Sequence, residues 1–150
     1  IDITKSYLEV AKKNSSYFEN ISFILDDAEE FKLDSKFDCI TASYLPKYCD
    51  PEILVKNCTT HLKPGGKIIL HDFTYPKNLV VRGLWNLFLA SLRLVGCFIP
   101  SWKDALIGLP KLIRKTKWLE SYSDVMKKNG LSVNRQYLTC GASAILTGTK

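Results

Sequence analysis

Short apolar runs alternate with segments of helical spacing along the first half of the chain. The predicted strands are residues 21–25, 37–43 and 67–73, and the predicted helices are residues 4–13 and 51–62. In the first helix Tyr7, Leu8 and Ala11 recur at spacings of three and four. Strands that alternate with helices indicate parallel strands joined by crossover helices. The pattern therefore predicts an α/β fold with a doubly wound, mostly parallel, Rossmann-like sheet.

Local signals fix the ends of the second helix. Asp50 precedes Pro51, and this order suits a helix cap followed by the first helical turn. The turn Pro64-Gly65-Gly66 is expected to stop the helix and to start the strand at 67–73, which is nearly continuous in apolar residues, as a central parallel strand is.

The second half of the chain has a different pattern. The predicted helices are residues 79–99, residues 102–115 with Pro110 as a breaker, and residues 119–128, and the predicted strands are residues 131–139 and 142–149. The two strands are expected to form an antiparallel hairpin at the edge of the sheet. We expect one domain over residues 1–150, with a helical insertion at about 77–118.

The segment 83–100 is apolar but short, and it contains Asn86 and Arg93, so we do not expect it to span a membrane. A lid over an apolar substrate is the first interpretation of this segment. An ordinary core helix and a helix that docks on a membrane surface are the alternatives.

Charge is distributed unevenly over the 150 residues. Residues 1–75 carry 9 basic and 12 acidic side chains, whereas residues 76–150 carry 12 and 3. A basic half can contact anionic lipid or an acidic substrate, or it can be a solvated surface. No nucleic-acid-binding motif accompanies it, so no nucleic-acid partner is expected. Five cysteines without a CxxC pair argue against a disulfide framework or a metal site, and favour a cytoplasmic protein.

Polar residues follow the predicted strands at the point where each strand ends. Asp26 and Asp27 follow the first, Ser43 and Tyr44 the second, and His71 and Asp72 the third, while Asp2 follows an apolar first residue. Ligands of open parallel sheets bind beyond the carboxyl ends of the strands, and an acid there commonly accepts hydrogen bonds from ribose hydroxyls. The arrangement predicts a nucleotide cofactor at this edge.

Four segments resemble motifs of the class I S-adenosylmethionine-dependent methyltransferases, in the same order and at similar spacings. They are residues 2–4 (DIT), 26–31 (DDAEEF), 37–44 (FDCITASY) and 62–70 (LKPGGKIIL). The resemblance implies S-adenosylmethionine as the cofactor, with Asp2, Ile3, Asp27, Ala28 and Ser43 in its binding site. A nicotinamide dehydrogenase shares the acid at position 2 but does not account for the Lys-Pro-Gly-Gly turn.

Within that superfamily the chain is most similar to the C-methyltransferases of ubiquinone and menaquinone biosynthesis. Residues 72–76 (DFTYP) and the ending 141–150 resemble two of their motifs. The chain departs from this family at Lys47 and Tyr48, where the family has Arg-Asn, and at His71, where the family has an aliphatic residue. The glycine-rich GxGxG loop of the family is not in this sequence. We therefore expect this chain to be the C-terminal portion of a longer protein, and we expect the first strand of the fold to be missing from this portion.

The resemblance implies methyl transfer to a quinone precursor or a similar lipid-like or aromatic small molecule, with an apolar or prenylated acceptor. His71 is the expected base, because an imidazole titrates near neutrality, and the alternative is a packed histidine that makes one hydrogen bond. Asp72 is expected to orient His71, to hold the substrate or to cap the next loop. Tyr44 and Tyr75 are expected to line the acceptor pocket, and His61 to be structural. The alternative is a degenerate methyltransferase-like domain that binds a membrane surface or a partner.

Overall fold

The computed structural model describes residues 1–96 and 100–150, and it leaves the side chains of residues 100–107 undescribed. Its helices are α1 (Lys5–Asn14), α2 (Pro51–Thr60), α3 (Leu79–Gly96), α4 (Pro100–Lys115) and α5 (Trp118–Lys128). Its strands are β1 (Phe37–Ser43), β2 (Leu62–Phe73), β3 (Ser132–Leu138) and β4 (Ser143–Thr149). The predicted helices and strands occur in the predicted order except for the strand at 21–25, and the predicted end of the helix at 79–99 lies outside the described residues.

The four strands form one sheet in the order β1-β2-β4-β3. β1 and β2 are parallel, and β4 pairs antiparallel with both β2 and β3. The α/β class and the antiparallel hairpin at the sheet edge are confirmed. A turn at Thr139–Gly141 joins the hairpin strands.

The predicted strand at 21–25 is reduced to a single parallel bridge between Leu25 and Asp2. This prediction was wrong in extent, because an apolar run becomes a strand only where a neighbour supplies a hydrogen-bonded ladder.

Helices α2 and α5 pack on one face of the sheet and enclose the core. The largest fully buried side chains there include Leu54, Ile68, Leu70, Tyr122 and Met126. Burial alternates along β2, so that Ile68, Leu70 and Asp72 face this core while the residues between them are more exposed. His71 and Asp72 consequently point to opposite faces of the sheet.

The Pro-Gly-Gly turn has a different role from the one predicted. Helix α2 already ends at Thr60, so the turn does not stop it, and the turn residues belong to β2. The amide of Gly65 donates to the carbonyl of Lys150 at 3.1 Å, with φ at 76°. A Cβ on Gly66 would lie 2.9 Å from the carbonyl oxygen of Lys63, so the position requires glycine. The turn therefore fastens β2 to the end of the chain.

The helices of the predicted insertion differ from expectation in two ways. Helix α4 continues through the buried Pro110, so the prediction of a break at this residue was wrong. Helix α3 has only Leu89 and Gly96 buried, which excludes its interpretation as an ordinary core helix within the described structure.

Candidate functional site

The two segments that carry the predicted cofactor-binding acids Asp2 and Asp27 lie side by side. The bridge between Asp2 and Leu25 brings the segment at 2–4 against the segment at 24–27, with the amide of Asp26 donating to the carbonyl of Asp2 at 3.3 Å. Oδ1 of Asp2 accepts from the amide of Thr4 at 2.7 Å, and Oδ1 of Asp27 accepts from the amide of Glu29 at 2.8 Å. Each carboxylate is thus oriented by one backbone amide and keeps a second oxygen for a ligand.

The turn after Asp27 is tied to the start of α2. Oε1 of Glu29 accepts from the amide of Asp50 at 2.7 Å, and the side chain of Asn57 donates to the carbonyls of Ala28 and Phe31. Burial, followed by the charges of Glu29 and Asp27, raises the pKa of the Cys49 thiol to about 11. Two carboxylates of this edge, those of Asp27 and Glu29, are therefore each held by a backbone amide.

The remaining predicted cofactor residues are less constrained. Ala28 is half-buried against the core, Ile3 is 70% exposed, and Ser43 is exposed at the end of β1. Ser43 is in register with His71 of β2, so the ends of the two parallel strands lie together.

His71 lies in a cluster of aromatic side chains at the carboxyl ends of β1 and β2. Its ring centroid is 5.1 Å from that of Tyr44, in an edge-to-face arrangement, and Tyr44 is 5.0 Å from Phe73. Phe73 is in turn 5.5 Å from Trp85 of α3. We call Tyr44, His71, Phe73 and Trp85 the aromatic cluster. Within this cluster the indole N–H of Trp85 is buried and has no hydrogen-bond partner among the described residues.

Asp72 does not orient His71, and the prediction of that contact was wrong. Successive strand residues point to opposite faces, and the fully buried carboxylate of Asp72 binds Lys47 instead. Nζ of Lys47 lies 2.9 Å from Oδ1 and 3.2 Å from Oδ2 of Asp72, and the amide of Phe73 donates to Oδ1 at 2.7 Å. Asp72 is therefore inaccessible to a substrate.

Lys47 is a residue that sequence reasoning did not assign to the site. Its ammonium group also donates to the carbonyl of Tyr44 at 2.6 Å and lies 4.6 Å from the ring centroid of Tyr48. Tyr44 has a positive φ of 61°, a backbone conformation that is costly for a bulky residue. Lys47 thus holds the strained turn that presents the Tyr44 ring to His71. The sequence could have pointed to Lys47, because a basic residue follows β1 at a position where the similar family has arginine.

Tyr75 is separate from the aromatic cluster. It lines a cavity of about 600 Å³ beyond the end of β2, together with Arg114, Lys117, Trp118 and Tyr137. The guanidinium groups of Arg82 and Arg114 lie 5.1 and 5.3 Å from its ring centroid. The two tyrosines predicted to line one pocket therefore lie in two places, since Tyr44 and His71 do not line this cavity.

His61 has a structural role, as predicted. Its Nε2 accepts from the amide of Leu33 at 3.2 Å, and its Nδ1 lies 2.9 Å from the carbonyl of Asn57. The ring joins the end of α2 to the loop before β1 and does not reach the candidate site.

A family model described as a methyltransferase domain matches residues 1–104. The chain belongs to this methyltransferase family. The membership confirms the methyltransferase class expected from the sequence.

Relatives of this methyltransferase chain include the ubiquinone/menaquinone biosynthesis C-methyltransferase UbiE of Hahella chejuensis, which is 28% identical over 99% of the chain. The chain spans 63% of the length of that relative. The N-methyltransferase NodS of Bradyrhizobium japonicum has a similar fold, with a TM-score of 0.59 at 13% identity, over 99% of this chain and 70% of NodS. A second structure of NodS, in complex with S-adenosyl-L-homocysteine, has a TM-score of 0.55 at 14% identity and covers 99% of this chain and 64% of NodS. These structures are evidence for the fold alone.

The residues of this methyltransferase domain fit the nucleoside part of the cofactor. Ribose hydroxyls and the adenine amino group are donors, and the carboxylates of Asp2 and Asp27 are acceptors on two neighbouring segments, each held by a local backbone amide. Asp2 would bind the ribose and Asp27 the adenine, as the motif resemblance implies.

Proposed function

We propose that this protein transfers a methyl group from S-adenosylmethionine to the ring of a quinone precursor or a similar lipid-like aromatic molecule. The aromatic cluster carries the proposal, since it stands beside Ser43 at the ends of the two parallel strands. The similarity to UbiE supports the same class of acceptor.

The cluster suits a flat acceptor that carries hydroxyl or carbonyl oxygens. Tyr44 and Phe73 offer ring faces and edges for offset packing against an aromatic ring. The orphan indole N–H of Trp85 is a buried donor, and a buried donor gains most from an oxygen acceptor. Helix α3 contributes Trp85, which packs against Phe73 on one side of the cluster.

His71 supplies the base. The cofactor, when bound, supplies an electrophilic methyl group. Removal of a hydroxyl proton by Nδ1 or Nε2 of His71 would increase the nucleophilicity of the acceptor ring carbon. The ring carbon would then bond to the methyl group as the donor's carbon–sulfur bond breaks. Aromaticity would return when that carbon loses its proton to solvent and the oxygen regains the proton held by His71. Orientation of the two reactants lowers the barrier by up to about 7–11 kcal/mol in well-aligned systems.

The test is a methyl-transfer assay with the full-length protein, radiolabelled S-adenosylmethionine and a panel of prenylated and unprenylated phenols and quinols. We expect methylation of the ring carbon, and for His71→Gln a lower kcat with an altered acidic limb of its pH profile. His71→Phe keeps an aromatic ring without a base, and serves as the matched variant for packing. The proposal fails if no acceptor of this class is methylated while the cofactor binds, or if His71→Gln leaves the pH profile unchanged.

A further inference from the structure

We propose that helix α3 docks on an anionic lipid bilayer through its outward face. This inference goes beyond the proposed function and does not depend on it, because lipid binding is measured without cofactor or acceptor.

Helix α3 turns the polar side chains in its middle toward the protein and most of its large apolar side chains outward. A helix on a solvated surface is expected to do the opposite. At about 100° per residue, Val81, Trp85 and Leu89 lie on the side of the helix that faces the protein, with Arg82 and Asn86 next to them. Arg82 contacts the ring of Tyr75, and Asn86 binds the Tyr75 hydroxyl and Arg114. The polar side chains in the middle of α3 are therefore turned toward the protein.

The opposite half of α3 carries no charged side chain and is open. Its large apolar residues are exposed by 48–76% of their surface: Leu79, Val80, Leu84, Leu87, Phe88, Leu94 and Val95. Gly83, Ala90 and Ser91 complete this half. An apolar face of this size is uncommon on a protein surface in water, and it marks a contact with an apolar environment.

The surrounding charges favour an anionic membrane as the occupant. Residues 77–117 contain eight basic side chains, against one acidic side chain at position 104. Lys77 precedes α3, Arg93 lies in its last turn, and both are exposed. Basic residues that flank an exposed apolar helical face are typical of helices that lie in the headgroup region of a membrane.

The helix lies on the membrane surface in this proposal and does not cross the membrane. Among the described residues, α3 alone is long and apolar enough to be a candidate span, with 18 residues and a mean hydropathy of 1.4. Its length of about 27 Å is slightly less than the hydrocarbon thickness of about 30 Å. Its inward half is committed to Phe73 and Tyr75, so that only one side can contact lipid.

The test is sedimentation of the full-length protein with vesicles of phosphatidylcholine alone, or with a third of phosphatidylglycerol. We expect binding to the anionic vesicles that decreases with salt, and weaker binding to the neutral ones. The double variant Leu84→Gln/Leu87→Gln removes two exposed apolar side chains without a change of charge, and should weaken binding about tenfold or more. Lys77→Gln/Arg93→Gln should weaken binding to the anionic vesicles alone, by about tenfold.

Ile53→Gln on α2 is the matched control, because Ile53 is 50% exposed and far from α3 in the chain. It should bind as the parent protein does. Equal thermal melting of all variants would show that folding is unchanged. The proposal is overturned if neither vesicle binds, if the leucine variant binds like Ile53→Gln, or if the leucine variant instead dissolves a dimer that sedimentation equilibrium detects in the parent.

Discussion

Nζ of Lys47 lies 2.9 Å from Oδ1 of Asp72, and only 3% and 0% of the two side chains is exposed. This ion pair joins the loop after β1 to the end of β2. Through the carbonyl of Tyr44 it also holds the turn that places Tyr44 against His71. Asp72 is therefore a positioning residue, and the geometry assigns the same role to Lys47.

Removal of one partner of this pair should be costly, because it leaves the other charge buried without compensation. We expect Lys47→Met to lower the free energy of unfolding by about 3–5 kcal/mol. In urea unfolding, Lys47→Met/Asp72→Leu should recover a large part of this loss. Lys63→Met is the control, because its pair with Asp38 is exposed and should contribute little. Equal effects of Lys47→Met and Lys63→Met would contradict the role assigned to the pair.

Asp27 should contribute to cofactor binding through its charge. Asp27→Asn keeps an oxygen that can accept from the amide of Glu29, but it removes the charged acceptor. Loss of a charged hydrogen bond of about 1.5–3 kcal/mol corresponds to a dissociation constant about 10–100-fold higher. Calorimetry of the full-length protein with S-adenosyl-L-homocysteine measures this change. The exposed Asp34→Asn should bind as the parent does, and a similar affinity for Asp27→Asn would remove Asp27 from the site.

Replacement by alanine should change the stability of the protein in opposite directions at Gly66 and at Gly83. A Cβ on Gly66 would lie 2.9 Å from the carbonyl oxygen of Lys63 and 3.1 Å from that of Phe37, so Gly66→Ala should destabilise by about 1–3 kcal/mol. A Cβ on Gly83 meets nothing within 4 Å, and Gly83→Ala in helix α3 should stabilise by about 0.5–1 kcal/mol. Thermal melting of the two variants measures both changes. A melting temperature that shifts in the same direction in both would refute the close approach at Gly66.

Stability should fall at alkaline pH because of Cys58. Burial, followed by the neighbouring Cys49, raises the pKa of the Cys58 thiol from 9.0 to about 12. Below pH 9 the thiol is neutral in both the folded and the unfolded chain, so it contributes no pH dependence there. Above pH 9 it ionises first in the unfolded chain, and the free energy of unfolding then falls by up to about 1.4 kcal/mol per pH unit until about pH 12. Urea unfolding from pH 8 to 10.5 should show a shallower decline in Cys58→Ala. An identical slope in the two proteins would mean that other groups cause the loss.

Much of the fold follows from local sequence signals. Residues 37–43 form β1 as predicted from their apolar pattern, and β2 supplies the parallel ladder that completes the strand. The Asp50 side chain caps α2 through the amides of Glu52 and Ile53, since an acid before proline favours this geometry wherever it occurs. In contrast, the run at 21–25 became only a bridge, because strand length depends on a partner that sequence periodicity does not specify.

The sequence alone determined the family and most of the order of the elements, and it predicted Asp2 and Asp27 as cofactor ligands, because these inferences depend on residues that are near each other in the chain. Only the tertiary structure decided that Asp72 binds Lys47, since 25 residues separate them and the pleat of β2 turns Asp72 away from His71. It also decided which half of α3 faces outward. The hydrophobic pattern shows that a helix has two faces, but the packing of Trp85 against Phe73 selects the face that remains open.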